Sequence, residues 1–250
     1  MRASISQVKL FKACRRAWDL AYREKLKPVH EADTLETGHS YHKFLEAIEH
    51  GESIDVDYSK ACAMAKAWEK YIFPYVGKLE TEKEYEKQIG EHILHGFVDG
   101  IAEGHYIVEH KTTSRDISEG GEYEYNLQWD EQIPAYMSLT GLRKMYYTVC
   151  RKPTIRIKKD ESEQEFYERM LAWYDEDTAH KIRIFAIERT DAEVAQFERD
   201  FDRICAQMQE AEIYRNTCHC TAYGRRCEYA SICLHYDPEQ QYIEFVKKED

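Results

Sequence analysis

A chain of 250 residues with a formal net charge of -12 is long enough to bury a substantial core, and too acidic to coat nucleic acid by bulk attraction, because a phosphate backbone repels a negative surface. It has no run of about 18 apolar residues that could cross a bilayer, and the basic start from Met1 to Lys12 lacks the apolar stretch of a secretory signal. A cytoplasmic protein with no membrane partner is therefore expected.

Charge is unevenly spread. Residues 1–28 carry eight Lys or Arg against Asp19 and Glu24, and residues 141–159 carry seven with no acid, which suits either a local grip on a polyanion or two solvated faces. In chain order, Ser4 or Ser6 can cap a first helix whose apolar positions Val8, Phe11, Cys14, Trp18 and Ala21 recur at helical spacing, with Pro28 beyond its end. A second helix is expected from near Thr37, with His42, Leu45 and Ile48 on one stripe, and a third over 58–72. The charged residues 80–88 read as an edge strand.

The stretch "HILHGFVDGIAEGHYIVEHKTT" reads as a hairpin turning at Glu103 and Gly104. A two-residue loop would set Asp99 opposite Val108 and send Glu109 to the other face. A three-residue loop of Glu103, Gly104 and His105 sets Asp99 directly opposite Glu109, and this odd length, or an equivalent bulge, is expected. Beyond it, a helix is expected over 126–140, where Pro134 kinks it or marks a start. Residues 144–158 read as a strand pair broken at Lys152 and Pro153. A charged helix over 161–180, a strand over 182–188, a long helix over 191–212 and a cysteine-rich end complete the order. No linker or repeat interrupts it, so a single mixed α/β domain over 1–250 is expected.

Glu109 and Lys111, two apart on a strand, project together. Carboxylates at Asp99 and Glu109 would repel unless a hard cation such as Mg²⁺ sits between them, and Lys111 could then orient or deprotonate a water and stabilise charge on a phosphate. An ion pair on an exposed hairpin would explain the same residues. Gln132 and Tyr136, four apart, share a helical face. Half of the eight cysteines fall between Cys218 and Cys233. Cys220, Cys227 and Cys233 can wrap one centre around a turn at Gly224, with the inward-facing Cys14 as a fourth thiolate. Four thiolates suit Zn²⁺ or a 4Fe-4S cluster, and spacing does not separate the two.

Taken together, these segments resemble the PD-(D/E)xK nucleases of the RecB-like type that carry an iron-sulfur cluster, a group that includes the AddB nuclease domain, CRISPR-adaptation nucleases and phage-encoded exonucleases. The likeness spans nearly the whole chain: "SISQVKLFKACRRAWDLAY" with Cys14, "GHSYH" ending at His42, "GFVDGI" with Asp99, "IVEHKT" with Glu109 and Lys111, "QIPAY" as a QxxxY motif at Gln132 and Tyr136, "YYTVCRKPTIR", and "CTAYGRRCEYASIC".

The resemblance implies a restriction-endonuclease-like α/β core, with a central mixed sheet flanked by helices. It implies a Mg²⁺ or Mn²⁺ site at His42, Asp99, Glu109 and the backbone carbonyl of His110, and a catalytic set of Asp99, Glu109, Lys111, Gln132 and Tyr136. It implies a 4Fe-4S cluster on Cys14, Cys220, Cys227 and Cys233, joining residues 1–30 to 214–235. The expected activity is a metal-dependent DNA exonuclease acting on single strands or ends in phage recombination or DNA processing, with Arg15, Arg16, Arg23, Lys152 and Arg156 on phosphates. A CRISPR-adaptation nuclease and a non-catalytic DNA-binding or redox module are the alternatives. Two departures stand out: Pro134 inside QxxxY, and Cys218 competing with Cys220, which the phrase C-x-x-Y-G favours. The six residues between Cys220 and Cys227 lean toward the phage type.

Overall fold

The helical run at the N-terminus forms in pieces. A computed structural model of the chain, describing residues 1–29, 33–102, 105–222, 226–235 and 245–247, begins with strand β1 (Arg2–Ser4) and helix α1 (Ile5–Ala13), capped by the Ser4 hydroxyl, which accepts from the Gln7 N–H. Cys14 then takes extended backbone, and the chain resumes helix as α2 (Arg15–Trp18) and a π-helical turn, Asp19–Arg23. The apolar spacing survives this break, since Cys14, Trp18 and Ala21 are all buried.

The remaining elements are β2 (Leu26–Pro28), α3 (Asp33–Glu49), α4 (Lys60–Tyr71), α5 (Phe73–Val76), β3 (Leu79–Ile89), β4 (His92–Ala102), β5 (Tyr106–Thr113), α6 (Glu122–Leu127), α7 (Gln132–Thr140), β6 (Lys144–Arg151), α8 (Glu163–Glu176), β7 (Ile182–Glu188), α9 (Asp191–Gln209), α10 (Ala230–His235) and β8 (Phe245–Lys247). Contacts divide the chain into two compact units, one made of Met1–Ala32, Glu86–His95 and Gln196–Asp250, the other of Asp33–Tyr85 and Gly96–Ala195.

In the second unit the end of β4 pairs antiparallel with β5, β5 pairs parallel with β6, and β6 pairs antiparallel with β7, a mixed sheet. Glu103 and Gly104 lie outside the described residues. The pairing Ala102↔Tyr106 leaves three residues between partners, the expected odd number, and one step beyond Gly100↔Val108 the same register sets Asp99 opposite Glu109. One face of the sheet is covered by α3 and α4, whose Tyr41, Leu45, Met64 and Trp68 pack with Val108 and Cys150. Against β4 lies α7. A Cβ added at Gly96 would stand 3.2 Å from the Tyr136 ring and 3.4 Å from Leu139, so a side chain there would push the helix away. The fold is thus α/β, a central mixed sheet flanked by helices. As its charge suggested, β3 is an edge strand, paired among the described residues with β4 alone.

Three expectations need correcting. The helix carrying His42 starts at Asp33, ahead of Thr37. The helix placed over 126–140 is two, α6 and α7. Pro134 falls in the first turn of α7, where its missing N–H has no intrahelical partner to lose, so it marks a start. Finally, only β6 forms from the region 144–158: the ring of buried Pro153 offers no N–H to a ladder, and residues 152–157 leave the sheet.

In the first unit β1 pairs parallel with the start of β4, Arg2↔Ile93 to Ser4↔His95, and β2 pairs antiparallel with β8. Leu20, Leu26, Tyr229, Ile232 and Phe245 pack around Cys14, and the Tyr229 hydroxyl donates to the Leu26 carbonyl at 3.0 Å. Among the described residues no helix is long and apolar enough to cross a membrane.

Trp68 is fully buried and its ring centroid lies 5.3 Å from that of His110 on β5. Trp68→Ala is expected to lower stability by about 3–5 kcal/mol, measured by urea unfolding. A loss smaller than about 1 kcal/mol would be inconsistent with a packed α4–sheet core.

Candidate functional site

On β5 the alternation of a strand sends Glu109 and Lys111 to one face and His110 to the other. Glu109 is 1% exposed. Its Oε1 accepts from the Lys111 ammonium and, at 2.7 Å, from the Gln132 amide at the start of α7. Its Oε2 is buried and has no hydrogen-bond partner among the described residues. Asp99 stands across the hairpin, its Oδ2 accepting from the His110 N–H at 2.8 Å, and His42 Nδ1 lies 3.8 Å from Asp99 Oδ1. Five of the expected site residues therefore meet, and Tyr136 sits on the same helix as Gln132.

The electrostatics follow from burial. Burial, with Asp99 beside it, pushes Glu109 up to about 7, and burial raises Asp99 as well. Burial pulls the Lys111 ammonium the other way, but Glu109 and Asp99 more than offset this and hold it above its ordinary range, so it stays charged. Burial, then Glu109, raises the Tyr136 phenol.

Sequence reasoning missed the groups that hold this set in place. Asp130 accepts from the Gln132 N–H at 3.0 Å through Oδ1 and from the Tyr147 hydroxyl at 3.0 Å through Oδ2, fixing the start of α7 against β6. An Asp two residues before a helix start is the signal that could have found it. Behind β5, His110 Nδ1 is 2.7 Å from Thr148 Oγ1 and its Nε2 is 3.1 Å from Glu49 Oε1. The Thr148 hydroxyl donates to the Glu109 carbonyl at 3.4 Å. If it donates there, it accepts from His110 Nδ1–H, which leaves Nε2 as an acceptor. Burial raises Glu49 to about 8 and lowers His110, so at neutral pH Glu49 is protonated and donates to Nε2. The protons are assigned from this network, and the chain Glu49–His110–Thr148–Glu109 carbonyl is neutral and fully paired. Glu49 lies seven residues after His42, two turns along the same helix, a spacing that could have drawn attention to it.

The four cysteines expected to share one centre, Cys14, Cys220, Cys227 and Cys233, all belong to the first unit. The Cys14 Sγ accepts from the Asn216 N–H at 3.4 Å, and the Cys227 N–H donates to the Cys220 carbonyl at 2.8 Å. Burial raises the thiols of Cys227 and Cys233, and both feel Cys14 and Cys220 nearby. Cys218 is exposed, and Gly224 lies outside the described residues. Among the described residues, no three His, Cys, Asp or Glu side chains stand close enough to hold a metal ion as placed. Two features bear on bound groups all the same: Glu109 Oε2 is a buried acceptor with no donor among the described residues, and Cys227 and Cys233 each feel Cys14 and Cys220.

The basic residues differ in what they touch. Arg16 Nη1 reaches Asp19 at 2.7 Å and Glu24 at 2.9 Å, and Arg23 donates to the Met208 carbonyl at 3.0 Å. Arg15 packs between two rings, its guanidinium carbon 5.1 Å from the Phe11 centroid and 4.9 Å from that of Tyr214. Lys152 is half-buried and Arg156 exposed.

Comparison with known proteins adds a family. The model of the PD-(D/E)XK nuclease superfamily matches residues 2–234. No curated protein matches the chain significantly. Among solved structures, a protein from Eubacterium rectale described provisionally as an exonuclease has a TM-score of 0.55 at 15% identity, over 99% of this chain and 89% of its own. A phage-related exonuclease from Haemophilus somnus scores 0.38 at 16% identity, over 73% of this chain and 86% of its own. An alkaline exonuclease from Laribacter hongkongensis scores 0.37 at 11% identity, over 82% and 92%. At such identities the first likeness shows a shared fold, and the other two are weaker.

The buried Glu49 proton has a pH signature. A carboxyl raised from 4.5 to about 8 holds a proton in the folded state that the unfolded state gives up. The stability it contributes is fully present below 4.5 and falls as pH rises toward 8. Glu49→Gln, whose amide can donate to His110, is expected to keep the fold and flatten unfolding free energy against pH over this window. Glu49→Ala leaves Nε2 unpaired and is expected to cost about 1–3 kcal/mol. Equal pH slopes in wild type and Glu49→Gln would contradict the assignment.

Proposed function

The chain belongs to the PD-(D/E)XK nuclease superfamily, and from that premise we propose that it is a divalent-metal-dependent deoxyribonuclease, an exonuclease hydrolysing phosphodiester bonds of single-stranded DNA or DNA ends in phage recombination or DNA processing. The observation that carries this reading is Glu109, a buried carboxylate with one oxygen held by Lys111 and Gln132 and the other without a donor among the described residues, opposite a second carboxylate at Asp99. An unpaired buried acceptor is costly, and a cation is what two converging carboxylates would accept. Mg²⁺ or Mn²⁺, held by Asp99, Glu109, His42 and the His110 carbonyl, supplies when bound a Lewis acid for a phosphate oxygen and a more acidic water.

The protein's own groups do the rest. Lys111 keeps its proton, so it acts as a cation beside the charge that builds on the phosphate and as a donor that orients water. Gln132 fixes the Glu109 carboxylate in one orientation. Tyr136, neutral, offers a hydroxyl beside the pair. In the first unit, Cys14, Cys220, Cys227 and Cys233 are the ligands we assign to a 4Fe-4S cluster, an all-sulfur set joining the start of the chain to its cysteine-rich end. Such a link restricts the unfolded chain by closing a long loop.

Lys111→Ala is expected to lower cleavage of labelled single-stranded DNA by about 10²–10³-fold while the protein still binds Mn²⁺ in a spin-resonance titration. Unimpaired cleavage by this variant would remove the mechanism. Because metal must displace the proton of a Glu109 carboxyl raised to about 7, apparent Mn²⁺ affinity should fall by roughly tenfold per unit as pH drops below about 7. A flat profile between pH 8 and 6 would argue against Glu109 as a ligand. For the cluster, anaerobic purification should give a brown protein with about four irons per chain. Cys220→Ala should lose the colour and Cys218→Ala should keep it, whereas a colourless protein with stoichiometric zinc would overturn the assignment.

A further inference from the structure

The first unit contains a cleft of about 600 Å³ beside Cys14. Its walls include Phe11, Lys12 and Arg15 from the N-terminal helices and Tyr214 and Arg215 from the segment after α9. Among the described residues that line it, three side chains are cationic and none is a carboxylate, in a chain whose net charge is -12. Arg15 is set in place by the rings of Phe11 and Tyr214 and by one contact, at 3.4 Å, with the Glu212 carbonyl. Among the described residues no carboxylate pairs with it. Its neighbour Arg16 is held by Asp19 and Glu24. Tyr214 remains 56% exposed although a cation already covers part of its ring.

We infer that this cleft holds a segment of single-stranded DNA, with Lys12, Arg15 and Arg215 on its phosphates and Tyr214 against a base. The choice of ligand rests on the nuclease reading, while the place rests on the cleft itself. Cations alone would suit any anion. The exposed ring among them selects one that also carries flat aromatic groups, and stacking tolerates any sequence because every base has a π-face. A cleft of this volume accommodates a nucleotide-sized group. A polyanion repelled by the acidic surface elsewhere would gather beside Arg15, with which no described carboxylate pairs.

Binding is best measured in EDTA, by fluorescence anisotropy of a labelled single-stranded oligonucleotide, so that the result does not depend on cleavage. Tyr214→Ala is expected to weaken affinity about tenfold. Lys12→Ala is expected to reduce the slope of log affinity against log salt by about 0.7. In the wild-type chain, an iodouracil-substituted oligonucleotide should crosslink on irradiation to the peptide containing Tyr214, a measurement that requires no variant to fold. Unchanged affinity and salt slope in both variants, crosslinks mapping outside residues 11–15 and 204–217, or displacement by polyglutamate as readily as by unlabelled oligonucleotide would each overturn the inference. Normal binding by Tyr214→Ala in a protein that needs Lys111 to cut DNA sinks this inference alone. Binding as expected in a chain that cuts no DNA sinks the nuclease reading alone.

Discussion

Asp99 and Glu109 face each other across two strands in a part of the sheet from which water is largely excluded, and in that position both cannot ionise freely. Burial raises both carboxyls, and Asp99 beside it raises Glu109 further. The surrounding residues can be understood as partial compensation. Lys111 supplies a positive charge, Gln132 an amide donor, and the His110 backbone an N–H to Asp99. Those donors serve Glu109 Oε1 and Asp99 Oδ2; His42 stands 3.8 Å from Asp99 Oδ1, and Glu109 Oε2 is left buried with no donor among the described residues.

The opposite face of the same strand obeys a different rule. His110 points away from the carboxylates into the packing of α3 and α4, where an ionised pair with Glu49 would cost more in lost hydration than its attraction returns. Protonating Glu49 avoids that cost and still leaves each group with a partner. The neutral chain ties the end of α3 to β6 through β5 and ends on the Glu109 carbonyl. It fixes the backbone of the strand without placing another negative charge behind a pair that already repels. A buried acid that stays neutral is therefore as much a part of the site as the acids that ionise, although only the latter can meet a cation.

The hairpin and its chemistry were legible because alternation and turn length act over a few residues: Ile107, Val108, Glu109 and Lys111 announce a strand, and the turn length sets Asp99 against Glu109. The strand over 182–188 was legible for the same reason. What escaped depended on contacts distant in sequence or on a single local break. Cys14 keeps an apolar position in the helical spacing, so periodicity could not reveal that its backbone leaves the helix there. The span 126–140 has helical composition throughout, and only the Asp130 side chain, accepting from Gln132 and Tyr147, shows why one helix ends and another begins. The run from 144 to 158 alternates as a strand should, yet alternation says nothing about whether an N–H is present, and Pro153 lacks one. Glu49 and Thr148 carry no local signature, since their roles exist only once α3 and β6 flank β5.

Basic islands show the same limit in a different quantity. Counting Lys and Arg along residues 1–28 gives a strongly positive segment, but charge in a sequence is not charge available to a ligand. Arg16 is neutralised by Asp19 and Glu24, and Arg23 is committed to the Met208 carbonyl, the Trp18 ring and, at 3.8 Å, the Asp19 carboxylate. Exposed ion pairs of this kind contribute little stability, so their larger effect is to withdraw two cations from the surface field. Arg15, one residue from Arg16 but held by rings instead of by acids, has no carboxylate paired with it among the described residues. Aromatic neighbours orient a guanidinium without cancelling it, whereas carboxylates do both. The distribution of Phe and Tyr among the arginines is consequently a better guide to where this acidic protein can meet a polyanion than the count of its positive residues.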